Sequence, residues 1–187
     1  MRSNKPALEN GTRRSPKQCE ACKQCFALPL APATLQLYTE FGHCGEGGHM
    51  HKFPSIKARN LEGHEVEIPE DLPAGPRIVT LAFQRWHTEL IETWGPALQA
   101  LEARCQELSV WEVPALSRLY LPARAFIDGG MRSGIVDKNA RLHTLTAYTN
   151  LSALARDLEL PSLDTIYLLL VAPDGTILWR AQGAEND

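Results

Sequence analysis

Residues 77–83 read Arg-Ile-Val-Thr-Leu-Ala-Phe, an almost unbroken apolar and β-branched run. A strand with one face in water alternates polar and apolar side chains. A run that is apolar at both parities must be buried on both faces, so the sheet that holds it needs a cover on each side. Residues 166–172 have the same character, interrupted only by Tyr167. They lead through Pro173-Asp174-Gly175 into residues 176–180, which reads as a β-hairpin with turn chemistry at its apex. Neither run approaches the roughly 20 apolar residues of a membrane helix.

The covers are legible as helical periods. In residues 88–105, Leu90, Ile91, Trp94, Leu98, Leu101 and Cys105 recur at three- and four-residue spacing on one face. Pro96 falls inside that helix and predicts a kink near Trp94. Residues 108–113 form the next strand, ended by Pro114. Residues 117–127 carry a second helical pattern running toward Met131 and weakened by Gly129-Gly130. Residues 142–148 read as a third strand, after which Thr149 or Asn150 caps a short helix through Leu158. Upstream, residues 61–68 read as a strand pair turning at Glu62-Gly63, followed by a loop marked by Pro69, Pro73, Gly75 and Pro76. The order β-α-β-α-β-α-β-β argues a mixed sheet covered on both faces.

The first quarter of the chain differs. Four of the five cysteines, Cys19, Cys22, Cys25 and Cys44, precede Met50, and no amphipathic period is evident there beyond a short helix at 33–41. With His43, His49 or His51 these cysteines supply enough soft ligands for Zn²⁺ or an iron–sulfur cluster. The paired spacing of a zinc knuckle and the Cys-Pro of a ferredoxin run are both missing, so an irregular leader without cofactor is expected. The string Gly45-Glu46-Gly47-Gly48-His49-Met50 can be encoded by a purine run ahead of an ATG, as at a bacterial ribosome-binding site. That makes Met50 a candidate start and divides the chain into a leader, residues 1–49, and a domain, residues 50–187. No export-type apolar segment follows the basic start, and the cysteine count is odd, so a reducing cytoplasm rather than a disulfide scaffold is expected. A net charge of −3 with scattered arginines argues against nucleic acid.

The order of elements resembles the thioredoxin-like superfamily, in its peroxiredoxin-like and thiol-reductase-like wing. Residues 60–69 look like its entry hairpin, residues 78–83 with the following Trp-containing turn and helix look like its strand–active-site–helix unit, and residues 165–177 with Gly183 look like its closing hairpin. The resemblance implies an α/β, three-layer α/β/α sandwich with a mixed central sheet. Residues 126–135 and 177–180 are also similar to the ATP10 family, whose mitochondrial members assist assembly of the ATP synthase membrane sector.

Redox members of the superfamily carry Cys-x-x-Cys, or one peroxidatic Cys, where this chain reads Arg85-Trp86-His87-Thr88-Glu89-Leu90. Disulfide exchange needs a thiolate, since sulfur both attacks and leaves. The facing cis-proline is replaced by Asp164-Thr165. Cys105 sits on the apolar phase of its helix, near a C-terminus that disfavours a thiolate, and is expected to pack in the core. The expectation is therefore a redox-inactive binding or assembly module that meets a protein partner. Its binding surface is the vestigial active-site face: Gln84, Arg85, Trp86, His87, Thr88 and Thr165. His87 reads as a surface histidine beside a core-capping Trp86, the alternative being a neutral base at a helix N-terminus. Asp128 and Arg132, beside Gly129-Gly130, form a secondary candidate for an anion or a peptide terminus, set against self-satisfied ion pairs. The competing function is a thiol oxidoreductase or peroxidase using Cys105 or the leader cysteines.

Mass spectrometry of the endogenous protein is expected to find a chain that begins at Met50. Peptides from residues 1–48 in the mature chain would overturn that start.

Overall fold

The computed structural model describes residues 51–185. The elements in chain order are β1 (Ile56–Asn60), β2 (Glu65–Ile68), β3 (Arg77–Ala82), α1 (His87–Arg104), β4 (Ser109–Ser117), a 3₁₀ helix (Arg118–Ala123), α2 (Arg124–Gly134), α3 (Lys138–His143), β5 (Leu145–Thr149), α4 (Leu151–Asp157), β6 (Tyr167–Val171) and β7 (Ile177–Gln182). The seven strands form one sheet in the order β2-β1-β5-β4-β3-β6-β7. The β3–β4 and β4–β5 pairs are parallel and the others antiparallel.

The two-faced burial read from residues 77–83 is realised. All six residues of β3 are buried. Val79, Leu81 and Phe83 face a core shared with Leu169, Val171 and α4 residues Leu154 and Leu151. Ile78 and Ala82 face the other way, onto Leu168, Leu170 and α1 residues Leu98 and Leu90. Full burial of each such aliphatic side chain contributes about 1.5–3 kcal/mol, so both helical layers are needed to keep the strand dry. The architecture is a three-layer α/β/α sandwich with a mixed central sheet. No helix among the described residues is long and apolar enough to cross a membrane.

Several boundaries differ from the sequence reading. The entry hairpin starts earlier, at Ile56, and its turn spans the Glu62-Gly63 region. Asn60 Oδ1 accepts from the Glu62 and His64 N–H groups, and Gly63 takes φ +100°, a left-handed value that glycine tolerates. β4 runs through Pro114 to Ser117. β3 is its partner up to the Ala82–Pro114 pair, and β5 takes over from Ala115, so the missing proline N–H falls where the ladder changes sides. Ser117 ends β4, so the helical pattern starting there divides into the 3₁₀ turn and α2, which runs past Gly129-Gly130 to Gly134. The strand expected from residue 142 starts at Leu145, because Asp137 caps α3 through the Ala140 N–H. α1 runs unbroken through Pro96.

Gly75 is fixed by contact. A Cβ there would meet the Glu107 carbonyl oxygen at 2.4 Å, and that oxygen is backbone, which cannot move aside cheaply. Gly75→Ala is expected to destabilise the chain by about 1–3 kcal/mol, measured as a lowered urea midpoint. An unchanged midpoint would show that the loop before β3 relaxes freely.

Candidate functional site

The turn between β3 and α1 is built around an imidazole. The Phe83 N–H donates to His87 Nδ1 at 3.1 Å, across four residues. With Nδ1 accepting, the neutral ring carries its proton on Nε2. Phe83 and Trp86 stand edge-on to the ring at centroid distances of 6.3 and 4.4 Å. His87 is fully buried, whereas Trp86 is 48% exposed. This reverses the sequence reading of a surface histidine beside a core-capping tryptophan. The reason is the bond to Phe83: once the ring turns inward to meet that N–H at the first residue of α1, the adjacent indole is left on the outside.

Burial pushes the His87 pKa below its ordinary value of 6.5, and the backbone and charge of Asp164 oppose that shift. Nε2 is itself buried and finds no hydrogen-bond partner among the described residues, so Asp164 is near enough to act electrostatically without meeting hydrogen-bond geometry. Both ring nitrogens are enclosed. The imidazole braces the turn and is not presented to solvent as a base.

Outside this brace runs a polar chain. The Trp86 indole N–H donates to Gln84 Oε1 at 2.7 Å, Gln84 Nε2 donates to Asp164 Oδ1 at 3.2 Å, and Ser162 Oγ donates to Asp164 Oδ2 at 3.0 Å. The turn is thereby tied to the loop before β6. Of the expected residues, Gln84, Trp86 and His87 converge there. Arg85 and Thr88 are exposed, with Thr88 Oγ1 donating back to the Arg85 carbonyl at 3.0 Å. Thr165 is half-buried and adjoins Asp164 but makes no hydrogen bond to the turn. Asp164 and Ser162 were missed as site residues. The one available signal was the acidic residue where the superfamily places its cis-proline. The cis peptide bond found among the described residues is Ile68–Pro69, on the entry hairpin.

The secondary candidates are occupied. Asp128 accepts from Arg124 Nε at 3.4 Å and from the Tyr148 hydroxyl at 2.9 Å, and Tyr148 is held protonated by burial and by that bond. Arg132 donates to Glu62 Oε2 at 3.1 Å, and Arg141 binds the same carboxylate, which these cations hold below its usual pKa. These contacts pin α2 and α3 to the entry hairpin. Cys105 caps the far end of α1, about 27 Å along the helix from His87 at 1.5 Å per residue. It is buried, as expected, against Ile78, Leu98 and Leu108. It is also disulfide-bonded, in place of the expected core thiol. The leader cysteines Cys19, Cys22, Cys25 and Cys44 lie outside the described residues, and among the described residues no group of three or more potential ligands could hold a metal.

No protein-family model matches the chain, and no curated protein sequence matches it. Solved structures do. A proposed electron transfer protein from Aquifex aeolicus VF5 aligns over 75% of this chain and 88% of its own, at 12% identity and TM-score 0.53. BsSco, of the Sco family of cytochrome c oxidase assembly proteins, aligns over 76% and 89%, at 14% identity and TM-score 0.51. The fold is thioredoxin-like. Within it, the thioredoxin-like turn of this chain holds an imidazole and an indole at the mouth of α1.

A neutral, buried His87 stabilises the folded state fully above pH 6.5. Below that value the unfolded chain binds a proton that the folded chain resists, and stability falls as pH drops. Glu112, whose carboxyl is raised by burial, acts with the opposite sign as pH falls, so the difference from a variant isolates the histidine. His87→Leu is expected to cost about 1–3 kcal/mol at pH 7, because the Phe83 N–H loses its acceptor. It is also expected to flatten the loss between pH 6.5 and 5, as read by urea unfolding across pH. A variant that keeps the wild-type slope would place the titration elsewhere.

Proposed function

We propose that this chain is a redox-inactive, thioredoxin-like binding or assembly module that meets a protein partner through the face formed by Gln84, Trp86 and Asp164, flanked by Arg85, Thr88 and Thr165. The observation that carries the reading is the composition of the mouth of α1. The residues there are glutamine, arginine, tryptophan, histidine and threonine, none of which can accept and release a disulfide. The imidazole is enclosed, so it offers no base to a bound substrate. What the face does offer is a half-exposed indole whose N–H is already oriented by Gln84, with arginine and carboxylate beside it. Tryptophan and arginine in that setting are the residue types that dominate protein interfaces.

An assembly role has one further support: BsSco, whose fold this chain shares, is named within a family of assembly proteins.

The full-length chain is expected to show no insulin reduction or peroxide consumption above the uncatalysed rate, with Cys105→Ser indistinguishable from wild type. Sustained turnover that depends on Cys105 would overturn the reading in favour of a thiol enzyme. For a partner recovered by affinity capture, Trp86→Ala is expected to cost about 2 kcal/mol, roughly a thirtyfold loss of affinity. Unchanged affinity would remove this face from consideration.

A further inference from the structure

A second concave site lies away from the turn. The outer face of the β1–β2 hairpin, the end of β5 and the segment from the 3₁₀ helix into α2 enclose a cleft of about 360 Å³. That is the lower end of the range for small-molecule sites.

Its floor contains an unexplained group. Thr146 lines the cleft, is 1% exposed, and its hydroxyl has no hydrogen-bond partner among the described residues. Leaving a buried hydroxyl unpaired costs about 1–3 kcal/mol, and such exceptions are few in folded proteins. Tyr148, two residues on and so on the same side of β5, also lines the cleft.

Its walls contain charges that do not neutralise one another. In the hairpin register Lys57 stands opposite Glu67, and Arg59 opposite Glu65. Neither facing pair closes to an ion pair. Arg59 instead donates through Nε to the Gly63 carbonyl at 2.8 Å, and Glu67 accepts from Ser55 Oγ at 2.7 Å. From the other side Arg124 presents a guanidinium that bonds Asp128 through Nε alone and lies over the Tyr148 ring, 5.9 Å from its centroid. With Asp71 included, three cations and three carboxylates line the space. A simple anion would meet the carboxylates and a simple cation the guanidinium groups. A ligand bearing both charges meets neither penalty, and Leu121 at the rim supplies an apolar contact.

We propose that this cleft binds a small zwitterion of the α-amino acid type. Its carboxylate is taken by Arg59, Arg124 and the Thr146 hydroxyl, and its ammonium group by the Glu65 side of the hairpin. The site is independent of the thiol-free turn, so either reading stands if the other fails.

The test is an amide-shift titration of the full-length ¹⁵N-labelled chain with L-leucine, N-acetyl-leucine and leucinamide. Leucine is expected to give saturable shifts at residues 57–59, 146 and 148, with each blocked analogue at least tenfold weaker. Thr146→Val, which keeps shape and removes the hydroxyl, is expected to remain folded and to weaken leucine binding at least fivefold. Thr146→Ser retains the hydroxyl and is expected to bind within twofold of wild type. No saturable shift with leucine up to 20 mM, blocked analogues that bind as well as leucine, or undiminished binding by Thr146→Val would each overturn the proposal.

Discussion

Everything in this molecule is arranged around strands that must be dry on both sides. β3 and β6 lie next to each other inside the sheet, fifth and sixth of its seven strands, with Val79, Leu81, Leu169 and Val171 on one face and Ile78, Leu168 and Leu170 on the other, all buried. Neither helical layer can be dispensed with, because each face carries several side chains whose burial contributes about 1.5–3 kcal/mol apiece. α1 is therefore obliged to lie back over β3, and the turn joining them is short. That turn sits at the end of a rigid strand, facing the loop before β6, whatever residues it contains.

The position is thus an inherited property of the fold, and the chemistry depends on the residues placed there. In this chain the turn is stiffened from within. A bond from the Phe83 backbone to His87 Nδ1 closes the loop, the rings of Phe83 and Trp86 wall the imidazole in, and Gln84 and Asp164 tie the outside to the neighbouring loop. A histidine used in this way is a packing and hydrogen-bonding element. Its lowered pKa follows from enclosure and needs no catalytic explanation. The same enclosure leaves the indole outward and half exposed.

Other parts of the molecule follow a different logic. The entry hairpin is held to the helical excursion between β4 and β5 by Glu62 with Arg132 and Arg141, and the Arg124–Asp128–Tyr148 group ties α2 to β5. Through those contacts Asp128 and Arg132 join elements distant in sequence. The same contacts also shape the cleft beside the hairpin, where the hydroxyl of Thr146 has no hydrogen-bond partner among the described residues.

The amino-acid order alone determined the architecture. Apolar residues at both parities in 77–83 and 166–171, helical periods between them and turn residues at 173–175 leave few alternatives to a two-sided mixed sheet, because periodicity reports which faces are buried. It determined equally that no sulfur lies in the β3–α1 turn. It did not reveal which way His87 and Trp86 point, that Pro114 lies within a strand, or that Asp164 belongs to the site. Those depend on contacts between residues far apart in the chain, such as Gln84 with Asp164 and β4 with two successive partners, and on a local bond that turns one ring inward. Burial pattern is a property of the sequence. The orientation of a ring at a turn is settled only when the neighbouring strand and loop are in place.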